Sequence, residues 1–172
     1  RFSGGEIPLT ERNTMTTTRR FFHLVDIDNL LGDPRSTDND QIRTCFEHYR
    51  KLTYYREGTH FAAVGTGCNG CHVLAVQSQW PGVRYVRRPG VDGADIALHE
   101  VALDEAATGR YTNFVIASGD GRFCETYREL SRLGYPVTVV SRPEALSVEL
   151  RHLVNDDVLF MPSAVDFNLT AA

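Results

Sequence analysis

Short apolar runs alternate along the chain with longer stretches in which apolar residues recur at helical spacing. The run at 21–25 is typical of a buried central strand, whereas Ile42, Cys45, Phe46 and Tyr49 form one face of a helix. Strands are predicted at 21–25, 61–64, 83–86, 114–117, 137–140 and 158–160, the last at a sheet edge. Because strands that alternate with helices are usually parallel, the pattern predicts a three-layer α/β/α sandwich with a mainly parallel central sheet.

Capping residues and glycines mark the predicted helices. The clearest helix spans 93–107, with Leu98, Ala102 and Ala106 on one stripe and Gly109 after its end. Four other helices are predicted. One begins after a cap at Thr37, and one spans about 72–79. A third carries Phe123, Tyr127, Leu130 and Leu133 on its apolar face, and the last begins at a capping box that starts with Ser141.

The 172 residues, 42% of them hydrophobic, suffice for one domain with a sizeable core and leave no room for a second. We expect this domain at 19–172, and we expect 1–18 to be a disordered tail or an expression remnant before a start at Met15. No apolar stretch reaches the roughly 18 residues that span a membrane, and no signal peptide is recognisable. We therefore expect a soluble cytoplasmic protein with no membrane partner.

The formal net charge of −4 means that binding to a nucleic acid must depend on a local basic patch. The arginines that offer such a patch are Arg84, Arg87 and Arg88 around one predicted strand, and Arg19, Arg20 and Arg122 elsewhere. Solvated arginines on an ordinary surface are an equally good interpretation of each one taken singly.

Cys68 and Cys71 form a CxxC motif that is followed by His72. The motif matches covalent haem attachment and half of a zinc site, but no second Cys or His pair follows at zinc spacing. A redox pair at a helix start is also conceivable, because a helix dipole lowers the pKa of a thiol. We favour small residues in a tight turn between strand and helix, with reduced thiols.

Acidic residues stand where predicted strands end. Asp26 and Asp28 end the first strand, Asp120 follows the strand at 114–117, and Asp95 opens a helix from the same edge. Ligands of parallel sheets bind outside the carboxyl ends of the strands, so these carboxylates are expected to converge. Clustered carboxylates repel one another unless a proton or a hard cation such as Mg²⁺ or Mn²⁺ joins them. Such a cation activates a water molecule, which can then attack and cleave a phosphodiester.

Each of these acids also has a structural interpretation. Asp120 is a suitable helix N-cap, and Asp95 in a first helical turn complements the helix dipole. Asp26 and Asn29 together are typical of a turn that ends a strand. His99 lies near Asp95 by helical spacing, and we interpret it as an edge or core histidine because the metal chemistry needs no further base.

Three segments of the chain together resemble the NYN branch of the PIN-like nucleases. They are 25–30 (VDIDNL), 93–98 (GADIAL) and 118–120 (SGD) ahead of Phe123, and the resemblance extends over about 21–160. It implies a PIN-like fold and a metal-dependent endoribonuclease that hydrolyses RNA. It implies that Asp26, Asp95 and Asp120 are the catalytic metal ligands, that Asn29 orients the first site, and that Ser118 hydrogen-bonds near the metal or the scissile phosphate.

Two positions depart from the pattern of that family. Arg122 stands where the family commonly has a further Asp, and Asp92 stands where it often has Lys. Arg122 either binds an RNA phosphate bidentately or displaces metal. Asp28 and Asp92 are the two candidates for a carboxylate that substitutes for the missing acid. The main alternative is therefore a non-catalytic NYN-like module that binds RNA or a protein partner, and a homo-oligomer is also open.

A third interpretation rests on the resemblance of Asp26-Ile27-Asp28 to the nucleophile motif of haloacid-dehalogenase-type phosphatases. That family needs a Lys between its acidic motifs, and the only lysine, Lys51, comes very early. Leu30 stands where its Thr is expected. We rank this interpretation last.

Overall fold

A computed structural model describes residues 18–32, 39–67, 73–155 and 157–163 of the chain. The elements in chain order are β1 (Phe21–Asp26), α1 (Ile27–Leu31), α2 (Asn39–Leu52), β2 (His60–Thr66), α3 (Val73–Gln79), β3 (Arg84–Arg87), α4 (Gly93–Ala107), β4 (Asn113–Ala117), α5 (Phe123–Arg132), β5 (Val137–Ser141), α6 (Val148–Val154) and β6 (Val158–Phe160). All six predicted strands are present, and the bounds predicted for α4 are confirmed.

The strands form one sheet in the order β3-β2-β1-β4-β5-β6, and every neighbouring pair is parallel. All the strands therefore end at the same edge of the sheet. In the central pairs Asp26 lies beside Gly65 of β2, and Val25 lies beside Ala117 of β4. This register brings the residues that follow β4 next to the last residue of β1.

Helices cover both faces of the sheet, which confirms the three-layer α/β/α sandwich. One core joins the sheet to α4, α5 and α6, and the other joins it to α1, α2 and α3. Successive residues of β1 serve opposite cores, Leu24 the first and Val25 the second, and both are fully buried. A strand that buries both faces needs apolar residues throughout, which explains the apolar run in the sequence.

The first helix begins directly after β1 and was not predicted. Asp26 is its N-cap, and the Asp26 side chain accepts a hydrogen bond from the backbone N–H of Asn29. Asp28 therefore lies inside α1, and the expectation that it ends the strand was wrong. A helix of five residues is too short to show an apolar period, so nothing in the pattern announced it.

The capping box predicted at Ser141 was also wrong. Ser141 is the last residue of β5 and pairs with Phe160 of β6, so the sheet holds it extended where a helix cap was expected. The last helix begins after Ser147, whose side chain accepts a hydrogen bond from the N–H of Leu150. Leu133, predicted on the apolar face of α5, is 54% exposed beyond its end.

Some predictions fall on residues outside the described ranges. These are the tail at 1–17 with the start at Met15, the cap at Thr37, and the Cys68, Cys71 and His72 motif. The two described cysteines, Cys45 and Cys124, are buried free thiols. Among the helices that the structure describes, none is both long enough and apolar enough to cross a membrane.

Candidate functional site

Asp26 is held firmly at the end of β1. It is 5% exposed, and both oxygens of its carboxylate accept hydrogen bonds. Oδ1 accepts the backbone N–H of Asn29 at 3.2 Å, and Oδ2 accepts the hydroxyl of Ser118 at 3.0 Å. The carboxylate is thereby fixed between α1 and the loop that follows β4.

Asn29 and Ser118 tie that loop to α1. The side-chain oxygen Oδ1 of Asn29 accepts the N–H of Gly119 at 2.9 Å, and Oγ of Ser118 accepts the N–H of Asp120 at 3.2 Å. Because Oδ1 of Asn29 faces an N–H donor, the orientation of its side-chain amide is determined. The amide nitrogen Nδ2 has no hydrogen-bond partner among the described residues. Asn29 thus offers a hydrogen-bond donor at the end of the sheet.

The three predicted acids line one cavity of about 290 Å³ at the carboxyl edge of the sheet. Asp95 reaches it from the first turn of α4, and Asp120 reaches it from the loop after β4. Oδ1 of Asp120 accepts the N–H of Arg122 at 2.9 Å. The residues around the cavity are Asp26, Asp28, Asn29, Gly67, Gly90, Asp92, Gly93, Ala94, Asp95 and Asp120.

Burial and mutual repulsion make ionisation of these acids unfavourable. Burial first, and then the charge of Asp95, raise the pKa of Asp26 to about 7, against the hydrogen bonds from Asn29 and Ser118. Burial, followed by the charges of Asp120 and Asp92, raises the pKa of Asp95 to about 6. A proton or a cation in the cavity would relieve this repulsion.

The donor set fits a hard divalent cation. Carboxylate oxygens are the ligands that Mg²⁺ and Mn²⁺ prefer, and three of these carboxylates line the same cavity. The charge of Asp95, after burial, raises the pKa of Asp26. In the ranges that the structure describes, no three His, Cys, Asp or Glu side chains already stand in metal-coordinating positions. The ligation by Asp26, Asp95 and Asp120 therefore stays a prediction.

Arg122 does not enter the acidic cavity. Its side chain is 56% exposed, and Nη2 forms a 2.7 Å ion pair with Oδ2 of Asp92. The two positions that depart from the resemblance thus contact each other. Arg122 and Asp92 line a neighbouring cavity of about 210 Å³, which Asp95 and His99 also line. The guanidinium lies beside the acidic cavity, at its rim.

Asp28 contributes a further carboxylate to the acidic cavity. Thr66 donates its hydroxyl to both oxygens of Asp28, at 2.9 and 3.0 Å, and the N–H of Gly67 donates to Oδ2 at 2.9 Å. These bonds hold the carboxylate against the end of β2. His99 belongs to the neighbouring cavity instead, where its Nδ1 is bonded to the hydroxyl of Thr126 at 3.0 Å.

Two of the three exposed arginines around β3 form ion pairs. Arg84 forms an ion pair with Glu105 at 3.5 Å, and Arg88 forms one with Glu100 at 2.7 Å. Arg87, at the end of β3, is exposed and makes no ion pair with the rest of the described chain. It lies beside Thr66 in the sheet, and Thr66 donates a hydrogen bond to the carboxylate of Asp28.

Sequence reasoning missed Arg142, which follows β5 directly. Its guanidinium is buried and donates from Nε and Nη2 to the backbone oxygen of Asn29, at 3.2 and 2.9 Å. The available signal was a basic residue at the end of an apolar strand that reaches the same edge as Asp26. The capping-box interpretation of residues 141–144 hid that signal.

Comparison with known proteins yields one family. A family model described as NYN domain matches residues 22–161, which include all the residues that line the acidic cavity. No curated protein matches the chain.

Proposed function

The chain belongs to the NYN domain family, and from that membership we propose that it is a metal-dependent ribonuclease that hydrolyses RNA phosphodiesters at the acidic cavity. The family is one of nuclease-like domains, and membership supports an RNA-related hydrolytic function. The finer assignments, to a divalent cation, to named ligands and to cleavage within RNA, are our proposal.

One observation carries the proposal. Carboxylates from the end of β1, the start of α4 and the loop after β4 line a single cavity. Burial and then the charge of Asp95 raise the pKa of Asp26, and burial and then the charge of Asp120 raise the pKa of Asp95. Asp26 is held there by hydrogen bonds at both oxygens although its ionisation is unfavourable in that position. A group of carboxylates that are unfavourable to ionise side by side is expected of a site that binds a cation.

Asp26, Asp95 and Asp120 would hold the divalent cation, with Asp28 in place of the acid that Arg122 replaces. When bound, the cation supplies a nucleophilic water at neutral pH and offsets charge on the phosphate. Ser118 keeps the Asp26 carboxylate in position through its hydroxyl.

The groups that would meet RNA surround the acids. Nδ2 of Asn29 is a donor at the cavity wall and suits a phosphate oxygen. Arg122 at the rim suits a flanking phosphate of RNA. The phosphate would replace Asp92 as the ion-pair partner of the guanidinium. Arg87 extends the positive charge toward β3. RNA is therefore the partner that we propose.

A cleavage assay tests this function. Labelled single-stranded RNA is incubated with purified protein and Mn²⁺, with and without a chelator, beside the Asp95→Asn and Asp120→Asn variants. Asp104→Asn is the matched control, because Asp104 is an exposed acid on α4 outside both cavities. We expect RNA decay only for the wild type and Asp104→Asn, and only with free metal. Equal decay in every sample would refute the proposal.

The ion pair between Arg122 and Asp92 favours a second candidate, a non-catalytic module. A fixed positive charge beside Asp95 lowers the affinity for a cation that Asp95 would bind. In the same assay such a module would leave the RNA intact, both with Mn²⁺ and with chelator. The phosphatase alternative has no comparable support, because the matched family is a different one.

A further inference from the structure

Arg142 is a buried charge whose hydrogen bonds converge on one backbone atom. The residue is 6% exposed, and two of its guanidinium nitrogens donate to the oxygen of Asn29, at 3.2 and 2.9 Å. Nη1 forms a 3.2 Å ion pair with Glu144, which is largely at the surface. Burying a guanidinium is unfavourable unless it is well bonded, so the contact with Asn29 is what makes this position tolerable.

The oxygen that Arg142 binds belongs to a short helix that cannot stand alone. Helix α1 has five residues, and the carbonyls near the end of a helix have no partner within it. Arg142 satisfies one of these carbonyls although it lies 113 positions away along the chain. The position of α1 therefore depends on this contact as well as on its apolar residues.

Asn29 connects Arg142 to the acidic cavity. Its N–H donates to the carboxylate of Asp26, and its side-chain oxygen accepts the N–H of Gly119. Arg142 touches neither the carboxylates of the cavity nor the space between them, because it does not line that cavity. It acts on Asp26 and on the loop after β4 only through Asn29.

Gly32 leaves the space that the guanidinium occupies. It follows α1 with a φ of 78°, and a Cβ at this position would overlap the guanidinium of Arg142. A side chain at position 32 would push Arg142 away from Asn29 while leaving Arg142 in the chain. The glycine and the arginine thus form one structural unit.

We propose that Arg142 is a positioning residue for the acidic site, which holds Asn29, and through it Asp26 and Gly119, in the arrangement that receives the cation. This inference rests on the proposed function of the cavity. Groups that orient metal ligands without touching the metal commonly change metal affinity 10- to 100-fold, roughly, when they are removed. We expect an effect of that order here.

The test uses variants that disturb the contact in different ways. Arg142→Met removes the guanidinium, and Gly32→Ala displaces it. Gly134→Ala is the matched control for Gly32→Ala, because Gly134 has a φ of 88° and nothing within 4 Å of its added Cβ. Glu144→Gln is the control for Arg142→Met, because it removes the negative charge from the other partner of the guanidinium.

Two measurements are made on the full chain. Mn²⁺ affinity is measured by electron paramagnetic resonance, and hydrogen exchange of the Gly119 amide is measured by NMR without metal. We expect Arg142→Met and Gly32→Ala to weaken Mn²⁺ binding roughly 10-fold or more and to speed exchange of Gly119. Gly134→Ala, which carries the same backbone strain, and Glu144→Gln should leave both values near those of the wild type.

The outcomes separate this inference from the proposed function. If the wild type binds no Mn²⁺, the metal proposal fails, and Gly119 exchange alone decides whether Arg142 positions the loop. If the wild type binds Mn²⁺ and Gly32→Ala matches Gly134→Ala in both measurements, the role of Arg142 is refuted. Gly32→Ala keeps the test valid if Arg142→Met does not fold.

Discussion

Replacing Asp26 by Asn should stabilise the metal-free protein at neutral and alkaline pH while abolishing its metal binding. The pKa of Asp26 rises from 3.8 to about 7 on folding, so the folded state holds a proton that the unfolded chain has lost. Stability must therefore fall as pH rises from about 4 to 7 and stay low above that range. Asn keeps the shape of the side chain and removes the charge.

The magnitude follows from the change in this pKa on folding. The full difference between 3.8 and about 7 corresponds to roughly 4 kcal/mol, an upper bound for the effect of one carboxylate. The stability that Asp26→Asn gains over the wild type should grow by about 1.4 kcal/mol per pH unit between pH 4 and 7. The amide oxygen introduced by Asp26→Asn can accept the N–H of Asn29, but the amide nitrogen cannot accept the hydroxyl of Ser118. The loss of that one hydrogen bond offsets part of the gain.

The assay is denaturant unfolding of the wild type and Asp26→Asn in chelator, at pH values from 4 to 8.5. Only the difference between the two curves is used, because His23 contributes equally to both. Asp104→Asn should give a flat difference. In separate samples without chelator, added Mn²⁺ should stabilise the wild type and not Asp26→Asn. A difference that does not change with pH, or a variant less stable than the wild type at pH 8, would refute the raised pKa of buried Asp26 on which this reasoning depends.

Three further predictions concern other parts of the fold. His23 is fully buried, and desolvation followed by the charge of His60 lowers its pKa from 6.5 to about 3, so the folded form is neutral. The contribution of His23 to stability is complete above pH 6.5 and is lost as pH falls toward 3, by about 2 kcal/mol at pH 5. Denaturant unfolding should show this loss for the wild type and not for His23→Gln. Leu98→Ala should lower the free energy of unfolding by about 3 kcal/mol, because Leu98 is fully buried over Gly65, and an unchanged denaturation midpoint would contradict this packing. Arg122→Ala should weaken RNA binding and reduce its dependence on salt without reducing Mn²⁺ affinity, as measured by titration at several salt concentrations, whereas an unchanged salt slope would remove Arg122 from the RNA interface.

Features of the fold and of the site could be predicted from the sequence where one local pattern or one topological rule determines them. Helix α4 was predicted with its observed bounds, because its apolar stripe and glycines mark a long element clearly. The convergence of Asp26, Asp95 and Asp120 followed from the rule that parallel strands end at one edge. Neither result required knowledge of side-chain conformations.

Features that depend on contacts between distant segments were not predictable. Helix α1 is short and is supported by Arg142, 113 positions from Asn29 along the chain. Asp92, which forms the ion pair with Arg122, has a left-handed backbone with a φ of 61°, and no residue pattern indicated either feature. Ser141 has the sequence of a cap but stays in a strand because β6 pairs with it.

The most direct test of the acidic cavity is the chemistry of the RNA ends that it produces. RNA is cleaved with Mn²⁺ in water enriched in oxygen-18, and the products are analysed by mass spectrometry beside the Asp95→Asn and Asp104→Asn variants. Attack by water predicts one heavy oxygen on each new terminal phosphate and no cyclic phosphate, for the wild type and Asp104→Asn alone. Cyclic phosphate ends, unlabelled phosphate, or products that persist in Asp95→Asn would contradict hydrolysis at this site.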